Sequence, residues 1–524
     1  MASRRSGAPA RAQPRAAGGR EIELKLHLRP RDLPALRARL DRLAKPRHGH
    51  VDSIYFDTAD LRLTAAHAAL RLRSVQQDGR RRWVQTFKTE DRDAALADRG
   101  EWESAAPGGR IDLARFDGSP LARLLGTQDG RPPALEPVFR TVFDRASWHL
   151  QAHGASIEAA LDLGEIRSRG RADPIHELEL ELRAGEPEAL FDLALHLAGS
   201  SGKRGADLCL LPFGASKAAR GARLALGREL FEPVPGLRKG RAAGLTAEHG
   251  LAASARHWIG QGMQALLANV HGAVRADHPE FVHQARIALR VMRVGADLLS
   301  PGLEPGGSPT PEQVRAMQSW AREFGAVREW DVLCEDILPS LCRDAGAGED
   351  AARWQRMRKS AEVRRRRLRA KLRHRLQAPE FAEFALRMLR WICSAPPPRG
   401  PRLKKYASTA LRRRRRELAK AARSFDKASA RRQHKIRLQA KNLRYAYETL
   451  RAVLPDEVRK SELRTLSRFQ DAAGSARDLA QAAASLESLP HSGALHGQIK
   501  AWTQGRRREG LQQARRLAAT LRRW

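Results

Sequence analysis

Glu21, Glu23 and Lys25 occupy alternate positions in the run Glu21-Ile22-Glu23-Leu24-Lys25. In an extended strand they share one face, and Ile22, Leu24 and Leu26 share the other. The same alternation recurs downstream. Arg71 and Arg73 alternate with Leu70 and Leu72, Glu101 and Glu103 flank Trp102, and Glu177, Glu179 and Glu181 alternate with Leu178, Leu180 and Leu182. Strands that put acids and cations on one face and aliphatics on the other can close into a barrel with a charged lumen. Such a lumen suits a polyanion held by metal ions.

A second constellation is helical and occurs twice. His283, Arg286, Arg290 and Arg293 stand at offsets 0, 3, 7 and 10, and His434, Arg437, Lys441 and Arg444 repeat those offsets. On a helix each set falls within an arc of about 80° and spans about 15 Å, making a row of cations. Beside the first row lie Val282, Ala285, Leu289 and Met292, and beside the second Gln433, Ile436, Ala440 and Leu443, which supply core-facing sides. Downstream, Gly325 with Arg328 and Asp331 corresponds to Gly474 with Arg477 and Asp478. Linear rows of cations suit a long thin anion. The runs Arg364–Arg367 and Arg412–Arg416 instead point around the whole helix circumference, so part of each faces solvent.

These residues need two kinds of scaffold, and the chain is long enough at 524 residues to supply both. From about 21 to 225 the signals are strand-like, with amphipathic helices predicted at 31–44 and 187–199, an α+β pattern. Residues 229–244, with Pro233, Pro235 and Gly236, read as a linker. From 245 the periodicity is helical to residue 524, broken by loops at 301–311 and 395–401, with repeats over approximately 245–390 and 402–524. Residues 1–20 read as a disordered basic arm.

The formal charge is +37, divided into +8 for residues 1–240 and +29 for residues 241–524. The second half is therefore the general polyanion binder. Cys209, Cys334, Cys342 and Cys393 have no C-x-x-C spacing, which fits reduced thiols in a cytoplasm. No apolar run is long enough for a membrane span, and no Walker-type loop, zinc-protease motif or serine-nucleophile elbow is present. Non-specific nucleic-acid binding is physically open to so basic a chain. The aromatic content is 5%, and no Tyr or Phe platform is evident among the stripes for base stacking.

Residues 21–228 resemble a CYTH domain, the triphosphate tunnel metalloenzymes, through the Glu-x-Glu-x-Lys opening and motifs in family order. These include Ile54-Tyr-Phe-Asp-Thr58, Thr86-Phe-Lys88, Arg99 to Glu103, Phe139-Arg-Thr141, Ile157 to Asp162 and Ser216 to Gly221. Residues 245–524 resemble a CHAD domain, a helical module of two similar bundles that binds inorganic polyphosphate. The tandem arrangement is a bacterial one, and similar proteins are inorganic triphosphatases. The resemblance implies an antiparallel eight-stranded β-barrel tunnel followed by all-α bundles in two repeats.

It also assigns roles. Glu21, Glu23, Lys25 and Lys88 are expected to be catalytic. Glu21, Glu23, Glu101, Glu103, Asp162 and some of Glu177, Glu179 and Glu181 would hold Mg2+ or Mn2+, which prefer oxygen ligands. Glu158 is a weaker candidate on the Asp162 face. Arg71, Arg73, Lys88 and Arg140 or Arg145 would grip phosphates, and Lys217 and Arg220 would contact the phosphate or close the tunnel end. The two helical rows would bind polyphosphate. The expected activity is metal-dependent hydrolysis of inorganic triphosphate to diphosphate and phosphate, in the cytoplasm and in association with polyphosphate granules. Alternatives are cyclisation of ATP, hydrolysis of an organic triphosphate, or a non-catalytic polyphosphate-binding role. In the first helical row, Val291 stands where the family usually has a second consecutive arginine.

Overall fold

The computed structural model describes residues 21–524 apart from 78–79, 90–96, 128–131, 201–205, 238, 240–243, 346–349, 398–399, 456–457 and 491–492. The arm at 1–20 and the side chain of Glu21 lie outside the described residues. Two units are distinguished: Met1–Leu197 with Pro212–Leu230, and Ala198–Leu211 with Phe231–Trp524.

The first unit is built on an antiparallel sheet. Its strands are β1 (Glu21–His27), β2 (Arg47–Asp57), β3 (Ala68–Gln77), β4 (Arg80–Thr89), β5 (Ala97–Arg99), β6 (Glu101–Ala105), β7 (Glu136–Ala152), β8 (Ala155–Ser168), β9 (Arg171–Ala184) and the short β10 (Leu211–Pro212). The order is β10-β1-β9-β8-β7-β2-β3-β4-β6, and β5 pairs with β1. Helices α1 (Leu33–Leu43), α2 (Arg62–Ala65), α3 (Leu121–Leu125), α4 (Glu188–Leu197) and α5 (Lys217–Ala225) complete the unit.

Alternation fixes which face each side chain takes. Leu24, Leu26, Leu178 and Leu180 are at most 3% exposed, as are Leu36 and Leu40 of α1 and Leu190 and Leu193 of α4. Each buried Leu contributes roughly 1.5–3 kcal/mol, and a one-residue register slip would turn the whole aliphatic set outward. Trp148, fully buried on β7, donates its indole N–H to Asp41 of α1 at 3.0 Å. That aliphatic face leaves the charged residues on the opposite side of the sheet.

The second unit is helical. Its helices are α6 (Leu251–Arg275), α7 (Pro279–Leu299), α8 (Pro311–Val332), α9 (Leu338–Ala345), α10 (Ala351–Leu376), α11 (Pro379–Cys393), α12 (Leu403–Ala422), α13 (Ala430–Leu450), α14 (Lys460–Glu487) and α15 (His496–Leu521), with one π-turn at Leu333–Ile337. On α7 the sides of Val282, Ala285, Leu289 and Met292 are buried, as are Ile436, Ala440 and Leu443 on α13. Val291 is 4% exposed and belongs to the same apolar cluster as Trp258, Leu298 and Leu443. An arginine there would have to enter the core. Among the described residues no helix is long and apolar enough to cross a membrane.

Candidate functional site

Eight strands and the start of α5 direct polar side chains into one cavity of about 220 Å³. Six carboxylates line it (Glu23, Glu101, Glu103, Glu158, Glu179 and Glu181) against seven cations (Lys25, Arg71, Arg73, Lys88, Arg145, Arg183 and Lys217). Register places opposite charges side by side: Lys25 faces Glu179, Lys88 faces Glu101 and Arg145 faces Asp162 across neighbouring strands. The ion pairs follow. Lys25 Nζ lies 2.7 Å from Glu179 and 2.8 Å from Glu23, Lys88 Nζ 2.9 Å from Glu101, and Arg145 2.7 Å from Glu179.

Beneath the lining is a fully buried layer. Asp162 and Glu177 have no exposed surface. Lys217 Nζ lies 2.8 Å from each of them and 2.9 Å from Glu179, and Arg145 makes a two-point contact with Asp162 at 2.6 and 2.7 Å. Lys217 begins α5, where the helix dipole disfavours a cation, so this triad of acids must outweigh both dipole and burial. It does: burial alone would lower the Lys217 pKa, but Asp162, Glu177 and Glu179 hold it well above the ordinary lysine range. Burial would likewise raise the Glu179 carboxyl, yet Lys217, Lys25 and Arg145 keep it well below the usual carboxylate range. Arg73 goes the other way, pushed down to about 10 by burial and then by Arg71 and Arg145.

The structure thus brings together Glu23, Lys25, Arg71, Arg73, Lys88, Glu101, Glu103, Arg145, Glu179, Glu181 and Lys217. Glu158 joins the lining as well. Other expected residues stand elsewhere or act from below. Arg140 does not reach the cavity: it is 55% exposed and pairs with Asp52, because it lies an odd number of residues from Arg145 and so takes the opposite face of β7. Arg220 is 2% exposed, held by Asp173, Glu177 and the Pro174 carbonyl, and locks α5 rather than lining the cavity. Asp162 and Glu177 position Arg145 and Lys217 from below the lining.

Two lining residues were not expected. Tyr55, 5% exposed and stacked on Phe139 at 4.3 Å, lies opposite Arg71 across β2 and β3. Burial would raise its phenol pKa, but Arg71 and Arg73 bring it below the ordinary value. Arg183 pairs with Glu181 at 2.7 Å and with Glu158. Its signal was legible, since it continues the alternation of the glutamate run by one step. Among the described residues, no group of three or more His, Cys, Asp or Glu converges as a ready metal site.

In the helical unit both predicted rows face a single cavity of about 890 Å³. All eight members line it, with Arg322, Arg328 and Arg477 from α8 and α14. Nine Lys/Arg stand against three acids, Glu329, Asp471 and Asp478. Crowding shows in the ionisation: Lys441 is pushed down to about 7 by burial and then by Arg290, Arg437, Arg286 and Arg444. His434 falls to about 4 through burial and Arg477, and Arg290 to about 10 through burial and its arginine neighbours. One glycine stands close against these cations and a second borders them. A Cβ at Gly474 would lie 2.8 Å from Arg437 Nη2, and one at Gly325 would lie 3.9 Å from the Arg286 guanidinium.

Of the downstream correspondence, Glu329 rather than Asp331 shares the cavity with Asp478. Asp331 is fully buried and accepts from Arg365 and Arg369. The stripes also have an aromatic neighbour. Tyr445 lines the cavity, but Arg444 covers its ring at 4.7 Å and Lys441 stands at 5.8 Å, so it offers no open platform for a base.

Comparisons with known proteins place both units. Residues 19–205 match the CYTH domain and residues 258–487 the CHAD domain. An inorganic triphosphatase of Haemophilus influenzae is 29% identical over 176 residues, which cover 33% of this chain and 47% of that protein. The chain therefore spans about half the length of this curated relative. Among solved structures, the CHAD domain from the plant Ricinus communis aligns with a TM-score of 0.44 and 20% identity, covering 54% of this chain and 91% of that one. HpAC1 from Hippeastrum, a protein with a dominant triphosphatase activity, aligns with a TM-score of 0.29 and 22% identity, covering 40% and 97%. The chain carries a CYTH domain at residues 19–205 followed by a CHAD domain at residues 258–487.

Proposed function

We propose that the first unit is a metal-dependent inorganic triphosphatase, hydrolysing tripolyphosphate to diphosphate and phosphate inside a closed eight-stranded barrel, and that the helical unit binds inorganic polyphosphate. The observation that carries the reading is the first cavity, where acids and cations from distant strands alternate around one small volume. Strand pairing supports closure: β6 bonds β4, β5 bonds β1, and only Gly100 separates β5 from β6, which returns the sheet to its first strand. The relative named an inorganic triphosphatase supports the substrate class.

The donor set fits a divalent ion. Seven cations against six acids leave the lining nearly neutral, so a triphosphate would remain under-neutralised without further positive charge. Glu23, Glu101, Glu103, Glu179 and Glu181 present the oxygen donors that Mg2+ or Mn2+ prefers, and phosphate oxygens and water would complete the coordination. When bound, the ion supplies charge to the phosphate oxygens and makes a nearby water more acidic. Arg71, Arg73, Lys88 and Arg145 orient the phosphates by hydrogen bonds. Lys217, whose three N–H groups are taken by Asp162, Glu177 and Glu179, holds those acids in place beside the phosphates.

In the second cavity, the excess of cations and the buried Arg437 Nε, which has no hydrogen-bond partner among the described residues, favour a purely anionic ligand. Two copies of one helical unit would then face each other across a single polyphosphate. The test is phosphate release from tripolyphosphate, ATP and thiamine triphosphate, each with Mg2+ or Mn2+. Tripolyphosphate should be cleaved fastest. Faster release from either organic substrate, or a cyclic nucleotide product from ATP, would displace the proposal.

A further inference from the structure

Helix α10 carries twelve Lys and Arg residues and a single acid, Glu362. Arg365 and Arg369 turn inward to Asp331. Arg373 and Arg375 are half-buried, and the rest divide over the outer surface. Arg353, Arg356, Arg364, Arg367 and Lys371 are exposed. Helical geometry places these five within an arc of about 80°, along about 27 Å of axis. Lys359 and Arg366, also exposed, form a second row roughly 110° away. Between the rows lie Ala352, Val363 and Ala370, all exposed and all small or short. Among the described residues Arg356, Lys359, Arg364, Arg367 and Lys371 make no ion pair, so their charge is available.

We infer that the exposed face of α10 docks double-stranded DNA, with its two cationic rows reaching the phosphates of both strands across the major groove. A helix about 10–12 Å wide with its side chains matches a B-form major groove of about 12 Å. The small residues between the rows let the helix approach the base edges without blocking it. A single polyphosphate chain would engage only one row and is better matched by the half-open cavity between α7 and α13. Single strands are disfavoured because the helix's one Trp, Tyr or Phe, Trp354, is 3% exposed and offers no stacking surface. The narrow major groove of duplex RNA excludes a helix. A membrane surface would call for an apolar outer face with aromatic or long aliphatic side chains, and between the rows this helix presents only Ala352, Val363 and Ala370.

The test is fluorescence anisotropy of the full chain with a labelled DNA duplex of roughly 20 base pairs, over a salt series. The variant R356S/R364S/R367S/K371S changes only exposed side chains, and circular dichroism checks its fold. DNA affinity should fall at least about 30-fold near 0.1 M salt. The slope of log affinity against log salt should shrink by about 3.6, at about 0.9 for each phosphate no longer neutralised. Affinity for short-chain polyphosphate should stay within about threefold. DNA binding unchanged in this variant would overturn the inference, as would no binding by the parent chain. So would an equal loss in a cavity variant, R286A/R437A, or a preference of the parent for duplex RNA or anionic vesicles over DNA.

Discussion

The two cavities differ in how their charges are arranged, and the direction of the ionisation shifts records the difference. In the sheet unit acids outweigh burial at Lys217 and Arg145, and Tyr55 with Glu101 and Glu103 does so at Arg71, so these three are shifted upward while Arg73 falls. In the helical unit burial prevails, joined by like-charged neighbours at every position but Arg293, and Arg286, Arg290, Arg293, Arg437 and Lys441 are all shifted downward. A balanced cavity suits a cargo that brings its own cations. An unbalanced one suits a bare anion. The same residue types therefore build two electrostatically different cavities, decided by how many carboxylates share the site.

Substitutions can break this contrast from either side. The largest effect is expected for Glu23→Gln, which removes an acid from the balanced cavity. Metal-dependent phosphate release should fall about a thousandfold or more while polyphosphate affinity is kept, and equal activity would remove this carboxylate from the mechanism. Arg220→Ala leaves Asp173 and Glu177 buried without their guanidinium, so the sheet unit should lose about 3–5 kcal/mol in denaturant unfolding. A loss under about 1 kcal/mol would mean that α5 is not locked by this ion network. Third comes the quadruple alanine variant of Arg286, Arg290, Arg437 and Lys441. Its polyphosphate affinity should drop about a hundredfold, with a weaker salt dependence, and calorimetry showing no change would assign the rows to solvated surface.

Smaller effects sharpen the comparison. A bound anion should raise the Lys441 pKa from about 7, so binding takes up a proton above that pH. Polyphosphate affinity should therefore decline as pH rises through 7, by up to about tenfold per unit, and Lys441→Arg should flatten the profile. An affinity that rises with pH would contradict the sign. Smallest of all, Arg140→Ala should change tripolyphosphate turnover by less than about twofold, since its pairing with Asp52 lies on the solvated face.

Strand alternation made most of the first cavity legible, because parity depends only on local spacing. Glu23 and Lys25, Arg71 and Arg73, and Glu179 and Glu181 could be assigned to one face before any fold was known. Parity could not say which of Arg140 and Arg145 turns inward. Only packing decides that, through Thr141 at 0% and Phe143 at 2% exposure on the Arg145 side. Tyr55 was hidden for a similar reason, since in Ile54-Tyr55-Phe56 it reads as an ordinary core residue. The 0, 3, 7, 10 spacing revealed each helical row, but not that α7 and α13 face one space. That juxtaposition is a long-range one with no local signature.

The crowded cations of α7 and α13 have a consequence for the lifetime of the chain. Like charges held together in a half-enclosed space oppose folding, and any anion that binds only the folded form relieves them by mass action. Susceptibility to proteases that attack opened chains would then track how much anion surrounds the protein. Scarcity of that anion would shorten the protein's survival as well as empty its cavity.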